Sequence, residues 1–72
     1  MGDEKQELRQ LGIEFSAIYL SIITSTNPAV MRTKHENAFD KAYRAYIALA
    51  EKCGIPEIET QDIRDMYKRI FG

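Results

Sequence analysis

From Thr33 to Cys53 the chain carries no residue that interrupts a helix, and directly beyond it Gly54 and Pro56 forbid one from continuing. A helix over 33–53 is about 31 Å long at 1.5 Å per residue, so it can bury a face only against an element of similar length. The preceding segment supplies that element. Leu8, Leu11, Phe15, Ile18 and Ile22 recur at the spacing of a packed helical seam. "TSTNP", residues 24–28, then stops this first helix, because the Pro28 ring pushes Asn27 out of the α region. Two long helices joined by so short a turn form a hairpin.

The first helix is expected over about residues 4–25, opened by a capping-box pattern at Asp3 and Gln6, with Glu4 and Glu7 at the positive end of its dipole. Two starts compete for the second helix. One uses Asn27 as N-cap and Pro28 as first helical residue; the other uses Thr33 with Glu36. The expectation is an irregular or short helical turn over 28–32 and a continuous helix over about 33–53. Gly54 takes a left-handed cap and Ile55 packs back on the last turn. A third helix over about 60–71, capped by Thr60 or Glu59, has Ile63, Met66, Tyr67, Ile70 and Phe71 on its dry side. The expected class is all-α: a three-helix antiparallel bundle of two long helices and a short C-terminal one, in a single domain over 1–72.

At 72 residues, folding buries only about 60% of the unfolded chain's surface, so a monomer is marginal. One cysteine forms no internal disulfide, and no Cys/His cluster offers a structural metal. Idealised helix packing or self-association is the remaining source of stability, and a homodimer is expected. The formal net charge of −1 gives no general attraction to phosphate or anionic lipid. "MGDEKQEL" is neither a secretory signal nor a myristoylation site, and Leu11–Ile23 is too short to span a bilayer. The expected location is cytoplasmic, with no membrane association.

On the second helix Met31, His35, Ala38, Phe39, Ala42, Ala45, Tyr46, Leu49 and Cys53 share one arc, read as a core face. Ala38, Ala42 and Ala45 are small, as are Gly12 and Ser16, so these columns would let the two backbones approach closely. His35 lacks the companions a metal ligand needs, and Cys53 has no adjacent base, so both read as structural. There is no glycine-rich phosphate loop and no paired acid and base. No catalytic residue, cofactor site, metal site or small-molecule substrate is expected, and the chain is not read as an enzyme.

"LAEKCGIPEIETQDI" resembles part of a helix-turn-helix, with Ala50 and Gly54 at that motif's Ala-to-Gly spacing and Leu49, Cys53, Ile55 and Ile63 at its apolar positions. The resemblance covers about twenty residues and implies a DNA-reading second helix. Thr60 departs from the pattern at a usually apolar position. Glu57, Glu59, Asp62 and Asp65 would set acids against a polyanion, which opposes that use.

Ile13, Tyr19, Leu20, Ile23 and Phe71 are left over once one seam is packed, and these are the expected anchors of a partner interface. The function expected is a small non-catalytic interaction or regulatory module, acting as a homodimer or on a larger protein. The alternative is nucleic-acid binding through a basic stripe on the second helix, formed by Arg32, Lys34, His35, Lys41 and Arg44.

Overall fold

The computed structural model describes residues 3–71, and the chain there is all-helical, with no strand among the described residues. Helix α1 is Asp3–Ile23, α2 is Pro28–Lys52 and α3 is Gln61–Phe71, the last preceded by a 3-10 turn over Glu57–Thr60. The described part is elongated, 41 × 20 × 17 Å.

Of the two possible starts for α2, the earlier one prevails, and residues 28–32 are the opening of one continuous helix, neither irregular nor a separate short turn. Asn27 is the N-cap, and its carboxamide oxygen accepts from the Val30 N–H at 3.5 Å. Pro28 loses nothing at the first helical position, since an N–H there has no acceptor within the helix. Thr33 lies inside the helix, and its hydroxyl donates to the Ala29 carbonyl at 3.1 Å instead of capping. The first helix ends two residues earlier than expected. Thr24 and Ser25 close the turn, the Asn27 N–H donating to the Ser25 hydroxyl at 3.1 Å.

The far end of α2 follows the Schellman pattern. Gly54 has φ +70°, its N–H donates to the Glu51 carbonyl at 3.1 Å, and the Ile55 N–H donates to the Ala50 carbonyl at 2.9 Å. Past Pro56 the chain makes the 3-10 turn where a plain connector was expected. Thr60 is buried, but it caps no N–H: its hydroxyl donates to the Glu57 carbonyl at 2.9 Å and accepts from Arg64 Nε at 3.0 Å.

α1 and α2 run antiparallel, with Glu4 beside Lys52 and Cys53, and Gly12 beside Tyr46. α3 runs the same way as α1, and its end is tied to the start of α2 by Arg32 Nη1 donating to the Ile70 carbonyl at 3.3 Å. Between the three helices lies an aromatic cluster. Phe15 and Phe39, both fully buried, stack at 4.3 Å between centroids, and Tyr43 stacks on Tyr67 at 3.9 Å. Phe39 also stacks on Tyr67 at 5.9 Å and tilts against Phe71 at 5.7 Å.

This cluster sets the rotation of α2. Phe39, Tyr43, Tyr46 and Ala50 lie within about 60° of arc at 100° per residue, and they form the inner face. Ala38 and Ala45, expected in the core, are exposed because α2 turns toward α3 to bring Tyr43 onto Tyr67. Of the small-residue column only Ala42 stays buried, and Gly12 meets Tyr46 rather than an alanine. A Cβ on Gly12 would lie 3.3 Å from Tyr46 Cε2, so the glycine makes room for an aromatic ring.

Phe39→Ala removes the ring shared by all three helices and is expected to cost about 3–5 kcal/mol. A chain this size has a total stability of roughly 4–11 kcal/mol, so urea denaturation of this variant should start with no native baseline or a short one. Gly54→Ala, forced into a left-handed conformation, should lower stability by about 1–2 kcal/mol with an unchanged urea m-value.

Candidate protein-interaction surface

Phe15, Tyr19 and Ile22 turn inward from α1. At 100° per residue Ile13 and Leu20 stand nearly opposite Phe15 and Ile22, and they are 55% and 53% exposed. Ala17 lies between them on the same stripe and is exposed as well. Toward α3 this stripe becomes the wall of an open groove of about 460 Å³, shared with Arg9, Gly12 and Ser16 and reaching Ile63. Its surface is almost wholly apolar, which leaves any water there without good partners.

The other expected anchors fall elsewhere. Tyr19 is a correction: it is 7% exposed, part of the core, and its hydroxyl accepts from Arg69 Nη1 at 3.4 Å. The periodicity of α1 had placed it on a flank, and α3 covers that flank. Phe71 keeps 38% exposure, but its ring packs on Phe39 and Tyr67 with the Arg32 guanidinium 6.0 Å from its centroid. Ile23 is exposed at the hairpin end, beside a separate cavity of about 350 Å³ between Arg32 and Arg69. Two exposed aliphatics went unread. Val30 has no face to be assigned to in an irregular or short helical turn over 28–32, and Ile58, 82% exposed, sits in a turn too short to show periodicity.

The basic stripe is only partly available. Arg32 is committed to the Ile70 carbonyl, and Arg44 Nε pairs with Asp40 Oδ2 at 2.8 Å. His35 is half-buried, while Lys34 and Lys41 are exposed. Asp40 also accepts a hydrogen bond from the Tyr67 hydroxyl at 2.6 Å, which joins α2 to α3. That bond, more than the Arg44 guanidinium, holds the Asp40 carboxyl below its ordinary value, and the same bond pushes the Tyr67 phenol up. Burial, followed by the Glu4 carboxylate that its thiol meets at 3.6 Å, raises Cys53 and keeps it protonated.

Charge is divided along the molecule's length. Residues 3–13 and 46–62, at the end where α1 begins, hold seven acids against three bases, a balance of −4. Residues 14–45 and 63–71, at the hairpin end, hold seven bases against four acids, a balance of +3. Among the described residues no three His, Cys, Asp or Glu side chains are placed to hold a metal, and no helix is long and apolar enough to cross a membrane. No protein-family model, curated protein or solved structure matches the chain.

Because the folded state favours the Asp40 carboxylate, its stabilising effect is complete above the unfolded carboxyl value near about 3.9 and disappears as pH falls through the lower folded value. Asp40→Asn should therefore melt below the native chain at pH 7, and thermal midpoints of the two should converge as pH falls below about 4.

Proposed function

We propose that the helices form a three-helix bundle serving as a small, non-catalytic protein-interaction module, and that it acts through the outer apolar face of α1. The observation carrying this is the placement of Ile13 and Leu20, half exposed on the side of α1 turned away from the core. Small residues beside them, Gly12, Ser16 and Ala17, leave room for a helix to lie in the groove. The accessible surface is 5215 Å², and it exceeds the roughly 4,600 Å² usual for a monomer of 8.3 kDa, as an elongated body of 41 × 20 × 17 Å does. Nucleic-acid contact through α2 is the alternative, supported by the exposed Lys34 and Lys41 alone.

The double variant Ile13→Asp, Leu20→Asp tests this directly. It should keep the native helical circular dichroism, since both side chains lie outside the core, and lose about 1–2 kcal/mol from the poorer helix propensity of aspartate and an acid in the last turn of α1. Affinity capture from the native cell should recover a bound protein with the native chain and lose it with this variant. Equal recovery by both, or loss only with Lys34→Glu and Lys41→Glu, would reject the α1 face.

A further inference from the structure

Taking that face of α1 as an interface, we infer that its occupant is α1 of a second copy, lying antiparallel about a two-fold axis that passes between Ser16 and Ala17. The stripe is self-complementary about that point. Ile13 stands opposite the second copy's Leu20, and Leu20 opposite its Ile13, so each large side chain meets the other kind at both ends. At the axis Ser16 and Ala17 meet their own copies in exchanged order, and their small side chains allow the two helices to approach. Farther out Arg9 faces Thr24, the residue directly past the end of α1. No like charges are opposed along the seam.

The charge division selects this direction over its reverse. Side by side and antiparallel, the −4 end of each copy lies along the +3 end of the other. A parallel pair would set acid against acid, base against base, and Arg9 against Arg9. The outermost charges, Glu4, Glu7 and Glu51 at one end and Arg32, Lys34 and Lys68 at the other, are exposed and stand toward opposite ends of the 41 Å length. With a Debye length of about 10 Å at ordinary ionic strength, the two ends influence each other only when a second molecule brings them alongside. One helical stripe is a small interface, so the dimer should form in the micromolar range and weaken as salt is added.

Disulfide trapping in a Cys53→Ser background tests the geometry. Ala17→Cys should give a covalent dimer under mild oxidation, because residue 17 and its copy are offset by about 1.5 Å along the helix axis. Ile13→Cys should not link to itself, since those positions are about 10 Å apart, yet it should link to Leu20→Cys when the two proteins are mixed. Sedimentation of the native full chain should show a reversible dimer that Ile13→Asp abolishes. A strict monomer, or self-linking of Ile13→Cys as ready as that of Ala17→Cys, would overturn the inference. A monomer that still loses a captured protein on Ile13→Asp overturns the second copy alone; a monomer that loses nothing overturns the interaction face with it.

Discussion

Phe39 touches every helix of this molecule, and the packing of its ring determines how the others can sit. One face stacks on Phe15 of α1, and Tyr67 and Phe71 of α3 approach from the other helix. A chain this short has few ways to build a dry centre, and here planar side chains supply most of it. Each buries a large area at the cost of only two side-chain torsions, and stacked or tilted rings add specificity of angle that aliphatic packing lacks. The short α3 depends on this most. Its eleven residues would be marginal as an isolated helix, and they are held by rings docked on α2.

Polar contacts around the cluster act on direction more than on strength. Tyr67 stacks on Tyr43 while its hydroxyl reaches Asp40 three residues earlier on α2, so a single side chain fixes both the depth and the rotation of α3. Arg32 closes the other end of that helix by capping a terminal carbonyl, where its charge also suits the negative end of the dipole. Among the described residues, no buried side-chain polar atom lacks a partner.

Local chemistry made the ends of the helices legible and left their rotation obscure. Gly54 and Pro56 announce the end of α2 because a left-handed residue and a missing N–H are properties of single positions. The start of α2 was ambiguous for the same reason: Asn27 and Thr33 each satisfy a cap rule, and what separates them is whether residues 28–32 have something to pack against, as Met31 does on the core. The inner face of α2 required knowledge of α3. Periodicity alone centres it near His35 and Ala42, and the stacking of Tyr43 on a residue 24 positions away moves it. The Asp40 to Tyr67 bond was invisible because nothing in the local pattern links an acid on one helix to a phenol on another. On the candidate surface, Ile13 and Leu20 were readable as surplus, whereas Tyr19 was not readable as core.

The surplus itself is hard to account for by folding. α1 needs a broad dry side, since it packs against both α2 and α3, but that side is complete with Phe15, Ile18, Tyr19 and Ile22. Ile13 and Leu20 point the opposite way. Replacing either by a polar helix former would cost the core nothing, and such replacements generally improve solubility. β-branched Ile13 is also a slightly poorer helix former than lysine, glutamate or glutamine, so propensity offers no reason for it. Single exposed aliphatics are ordinary; two at the two ends of one stripe, with only small residues between them, make a surface that another helix can cover without a gap. What such a helix must look like follows from the stripe: small at its centre and large at its flanks. The segment from Ile13 to Leu20 has that form when read in either direction.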